Sequence, residues 1–172
     1  MGPWVPGPGD ASSLMAGADH RVGVDAWLVR AAAGASPEQL VQIFEEGFGV
    51  LWRRAHRTLG DVTLVAILDR VLHYATEKYP MMSVLKAEAG GLRCQVLRQK
   101  IEGVPAEQVG EAIRFVMVEF LTVLGNLTAE VLTPLLHAAL SQVAREDGGP
   151  DQDDSSAEHG DPRLKNGEDA KR

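Results

Sequence analysis

Apolar residues recur at three- and four-residue intervals from residue 37 to residue 145, the period of helices that bury one side. Ser36, Pro37 and Gln39 mark the first clear start: a capping hydroxyl, proline at the first helical position and an amide able to reach back. Leu40, Phe44, Phe48, Leu51, Ala55 and Leu59 continue the stripe, and Gly60 is expected to end it. A second helix follows at once, capped by Asp61, with Leu64, Leu68, Val71, Leu72, Ala75 and Tyr79 on its apolar side and Pro80 closing it. So short a junction implies an antiparallel or sharply angled pair.

Residues 82–101 admit two readings. Val84–Glu88, the paired glycines Gly90 and Gly91, and the alternating run Leu92–Val96 fit a β-hairpin, the reading the glycines favour. The same letters permit a helix from Leu92 to Ile101. A further helix is expected from Pro105 to about Leu124, broken by Gly125 and Asn126. The last one starts near Thr128 and carries Leu132, Leu135, Leu136, Ala139, Leu140 and Val143, with Thr133-Pro134 either capping a restart or bending it.

Toward the amino end, Pro3, Pro6, Pro8 and several glycines oppose regular structure in residues 1–21, leaving Trp4 as a loose anchor or an exposed ring. A short helix fits residues 22–33, with Val24, Trp27, Leu28 and Ala31 on one side. Residues 146–172 are too polar to bury the apolar surface that ordering requires. The expected fold is mainly α: a four- to five-helix bundle-like domain over 22–145, with one small hairpin at about 84–97, between a disordered segment (1–21) and a disordered acidic tail (146–172).

The helix beginning near Pro105 departs from the one-sided pattern. Eleven of the sixteen residues from Val109 to Leu124 are hydrophobic, more than a helix with one solvated face needs. Glu111, Arg114, Glu119 and Thr122 mark its polar strip, and Phe115 and Val118 fall inside that strip. Either another element of the chain covers them or a partner does, which makes Phe115, Val118, Glu119 and Thr122 the candidate interaction surface.

Charge narrows the options. Of the net −7, the final segment supplies −5, from nine acids against four bases, so the body is close to neutral. A near-neutral body with an acidic tail lacks the basic field that nucleic acid requires. One cysteine, Cys94, excludes an intramolecular disulfide. No signal-peptide pattern and no run of about twenty apolar residues occurs, so a cytoplasmic protein with no membrane insertion is expected.

Candidate chemistry is sparse. Asp69, His73 and Glu77 stand at four-residue spacing, a pattern able to share a metal, yet they occupy a solvated face without a second histidine. Cys94, among apolar neighbours, reads as an inert core thiol. Glu119 lies on the polar margin, and Asn126-Leu127-Thr128 matches a glycosylation sequon but reads as a helix cap. No catalytic or cofactor motif is present, so no cofactor is expected. Ala55-His56-Arg57-Thr58-Leu59-Gly60 resembles the motif of histidine-containing phosphotransfer domains, four-helix bundles that carry a phosphoryl group on a helix histidine. The resemblance implies His56 as phosphoacceptor. It covers six residues, and Thr58 and Leu59 stand where that family has leucine and a phosphate-holding lysine.

Three functions are consistent with these residues. The first is a non-enzymatic regulatory or adaptor module that forms a homodimer or docks a protein partner through the Phe115 helix. The second is a small-molecule sensor with an inter-helix pocket roofed by Trp52, Tyr74, Phe115 or Met117. The third is phosphotransfer at His56.

Overall fold

The computed structural model describes the backbone of residues 8–146 and the side chains of residues 18–143; the expectations for residues 1–7, Trp4 among them, and for the tail beyond 146 lie outside the described residues. In chain order the elements are α1 (Pro8–Ala31), α2 (Pro37–Lys78), a 3-10 turn (Pro80–Val84), strands β1 (Lys86–Glu88) and β2 (Gly91–Arg93), α3 (Gln95–Lys100), α4 (Ala106–Leu127) and α5 (Thr133–Glu146).

Helix α1 begins at Pro8, well before the boundary expected at residue 22. Proline at the first position of a helix loses no hydrogen bond, so Pro8 starts the helix instead of opposing it. Val24 and Trp27 are buried on its inner side, and Leu28 and Ala31 pack against the core, as the periodicity implies. Gly23 lies where α1 approaches α5, since a Cβ there would stand 3.3 Å from the His137 ring.

Helix α2 opens with the capping box expected at Ser36. Its hydroxyl accepts from the Gln39 N–H (3.3 Å), and its own N–H donates to Gln39 Oε1 (2.8 Å). Gly60 interrupts α2 without ending it. Its φ of 74° and ψ of 167° lie outside the helical region, at a φ open to glycine and strained for other residues. The chain bends there and resumes, so the two expected helices are halves of one kinked element. Both halves reach α4: Phe48 meets Phe120 (4.8 Å between ring centroids) and Tyr79 meets Phe115 (5.9 Å).

Both readings of residues 82–101 hold in part. Strands β1 and β2 pair antiparallel with Lys86 opposite Arg93, Ala87 opposite Leu92 and Glu88 opposite Gly91. Gly90 and Gly91 at φ 101° and 128° permit the tight turn, and Gly91 lies against the Trp52 ring. The second strand stops at Arg93, and Gln95–Lys100 form the short helix α3.

Helix α4 is the hub, in contact with α1, α2 and α5, and ten of its residues are buried. Gly125 and Asn126 do not break it. Gly125 instead admits the Glu130 carboxylate, whose oxygen would stand 2.6 Å from a Cβ at that position. The helix ends after Leu127, where the Glu130 N–H returns to the Gly125 carbonyl (2.8 Å) and Ala129 and Glu130 take positive φ of 47° and 63°. Thr133-Pro134 therefore starts α5, five residues later than expected from Thr128. Leu132, Leu136, Ala139 and Leu140 are buried, while Leu135 is 56% exposed and falls outside the stripe assigned to it. No helix among the described residues is long and apolar enough to cross a membrane.

Glycine substitutions test this packing. A Cβ at Gly47 would stand 2.5 Å from the buried Trp27 ring, whereas one at Gly110 would meet nothing within 4 Å. Gly110→Ala is expected to stabilise by about 0.5–1 kcal/mol through helix propensity. Gly47→Ala should destabilise by about 1–3 kcal/mol despite the same gain, because Trp27 must move. Urea midpoints measure both; a stabilising Gly47→Ala would refute the close approach of α1 to α2.

Candidate functional site

The outer edge of α4 carries the surface with the most features for recognition. Phe115 is half-buried, with the Tyr79 ring beside it and the Lys78 ammonium 5.0 Å above its own ring. The same ammonium lies 5.4 Å from the Tyr79 ring, so one cation bridges two aromatic faces. These groups bound a cleft of about 230 Å³, with Arg21 contributed by α1 and Glu111 and Glu119 by α4. A second, shallower depression of about 490 Å³ shares Lys78, Phe115 and Glu119 with the first and extends to Tyr74 and Glu77. Tyr74 is 45% exposed, so two aromatic side chains face solvent along one face formed by α2 and α4.

The four candidate interaction residues separate here. Phe115 and Glu119 line both depressions. Val118 forms part of the floor of the first and is only 8% exposed, so this chain itself covers it. Thr122 donates its hydroxyl to the Val118 carbonyl (2.8 Å), closing locally on its own helix. Nearby, Arg114 reaches Asp25 of α1 (2.5 Å), which ties the rim of the cleft to the first helix.

The residues proposed for other chemistry lie apart. His56 sits on the solvent side of α2 with Nε2 3.2 Å from Asp61. A carboxylate so close repels an incoming phosphoryl group, and the neighbouring position, Leu59, supplies no cation. His73 and Glu77 form an exposed pair at 3.7 Å, and among the described residues no grouping of histidine, cysteine and carboxylates could hold a metal ion. Trp52 and Met117 belong to the core, while Tyr74 and Phe115 meet at the outer depression, so the four aromatic and methionine residues do not roof one pocket. Thr128 closes the carboxyl end of α4 by donating to the Leu124 carbonyl (2.8 Å), instead of capping a following helix.

One cluster is absent from any sequence spacing. His20, fully buried, meets His137 through Nδ1 and Nε2 at 2.9 Å, across a separation of 117 residues. Glu130 lies 3.8 Å from the other nitrogen of His20 and accepts the Thr133 hydroxyl. A buried histidine in the middle of a helix is the only sequence signal such a pair offers, and it depends on recognising α1 as far back as residue 20.

Cys94 is fully buried, and burial pushes its thiol up to about 12, with Glu45 adding to the shift and Arg98 opposing it. The thiolate is the reactive form, so reaction of the native protein with a disulfide reagent at pH 8 should run at least about 10³-fold slower than that of the unfolded chain. Thiol release followed by absorbance measures this, and native and denatured rates within tenfold of each other would contradict an inert core thiol. No protein-family model matches the chain, and neither a curated protein nor a solved structure matches it.

Proposed function

We propose that the chain is a non-enzymatic, cytoplasmic regulatory or adaptor module that self-associates through the face around Phe115, forming a homodimer. The observation that carries this reading is Phe115 itself, a half-buried aromatic shared by two adjoining depressions in the middle of a helix that buries ten of its residues. The chain as a whole carries −7 and repels its own copies at long range. This face differs, because Arg21, Lys78 and Arg114 balance Glu77, Glu111 and Glu119. A two-fold interface places the same surface against itself, so a charge-balanced face can oppose Lys78 to the second copy's Glu119 twice over.

Burying the exposed half of Phe115 is worth about 1 kcal/mol, and Tyr74 adds a second aromatic contact. Phe115→Glu is expected to weaken the dimer more than about tenfold, read as mass by light scattering across a dilution series. Lys78→Glu and Glu119→Lys should each weaken it alone, and an equimolar mixture of the two should restore a heterodimer. A wild-type chain that stays monomeric at about 100 μM, well above the micromolar range of specific dimers, would end this reading. So would a dimer indifferent to all three substitutions.

A further inference from the structure

The contact between His20 and His137 joins the first helix to the last. His20 is fully buried and His137 partly so: Gly23 of α1 lies against the His137 ring, Gly125 of α4 leaves room for the partly exposed Glu130 carboxylate, and Glu130 belongs to the turn between α4 and α5. The charged or titratable groups acting on the pair are Asp19 and His20 from α1, Glu130 from the turn and His137 from α5.

A ring-nitrogen contact of 2.9 Å needs one N–H and one lone pair. Glu130 decides which ring supplies which. If His20 donated from Nδ1, its Nε2 would present a lone pair to a carboxylate 3.8 Å away. The favourable arrangement has His137 donating from Nε2 to His20 Nδ1, with the His20 Nε2–H turned toward Glu130. One added proton fits this arrangement, on the free Nδ1 of His137. A second does not. It must occupy His20 Nδ1, which sets two N–H groups and two positive charges against each other.

We propose that the His20–His137 pair is a proton-operated latch: with at most one added proton it holds α5 and the 128–132 turn on α1, and full protonation releases them. Release exposes Leu132, Leu136 and Leu140, which are buried in the latched state. The proposal is independent of the Phe115 face, since none of these residues lines it.

The sign follows from proton linkage. Burial holds both imidazoles below the ordinary histidine value; for His20 the facing His137 adds to this, while Glu130 and Asp19 pull the other way at both rings. An unfolded or released histidine takes up protons near pH 6.5, at higher pH than the latched pair. The latch therefore contributes fully above about pH 6.5 and weakens as the pH falls below it, by up to about tenfold in the opening equilibrium per pH unit for each extra proton bound.

Native-state amide exchange in the full chain, corrected for intrinsic rates, reads the opening of α5 directly. Between pH 7.5 and pH 5.0 the protection of α5 amides should fall by about tenfold or more relative to the amides of α4. In His137→Gln the amide can donate to a neutral His20 or, turned over, accept from a protonated one, so the fall should shrink to the part that burial of His20 alone sustains, while protection at pH 7.5 stays near the wild-type level. His56→Gln and His73→Gln, both at exposed positions, should leave it intact. Histidine ring signals of the wild-type chain give a second readout that needs no variant: His20 should titrate below 6.5, in step with the loss of α5 protection. Protection of α5 that is unchanged by acid, a fall as large in His137→Gln as in the wild-type chain, or a His20 that titrates at or above 6.5 would each overturn the latch.

Discussion

Everything in this molecule answers to the excess of apolar surface on α4. A helix with a single solvated face needs one neighbour; α4 is apolar around most of its circumference and requires several. Helix α2 meets much of that demand by bending. Its left-handed glycine at position 60 turns the chain so that Phe48 packs on Phe120 from one half and Tyr79 on Phe115 from the other. Helices α1 and α5 cover what remains, and the hairpin closes over Trp52. The side left incompletely covered includes the strip around Phe115, where the cover is the Lys78 ammonium and the tilted Tyr79 ring.

Most of this was legible in the residues because burial repeats at the helical period. The capping box at Ser36, the α2 stripes and the paired glycines of the hairpin rest on interactions between residues a few positions apart, which a linear reading registers. What escaped depends on contacts far along the chain. Proline and glycine in the first twenty residues argue against a helix locally, yet Pro8 takes the one place where proline costs nothing and Gly23 permits the approach of α5. Gly125 looked like a terminator because a glycine's neighbours in space are unknown until Glu130 folds back over it.

The candidate surface was legible in the same uneven way. Helical projection set Phe115 and Val118 inside the polar strip of α4 and Glu119 on its margin, and grouped them with Thr122. It could not say that Val118 would be covered by its own chain, nor that Lys78 and Tyr79 would complete the face, since those side chains enter from another helix. His20 and His137 lay beyond reach for the same reason. Chemistry that requires two distant elements to meet leaves no periodic trace in either.

The pairing of α1 with α5 also has a bearing on how the chain is made. Synthesis releases α1 first, and Trp27 can settle on Gly47 as soon as the front of α2 emerges. The polar contact of His20 must wait until 117 further residues have been added. Through that interval a histidine destined for the interior stays hydrated, and the groove that α5 will fill stands open to water or to a chaperone. Of the described elements, the first to be synthesised is thus the last to have its contacts completed.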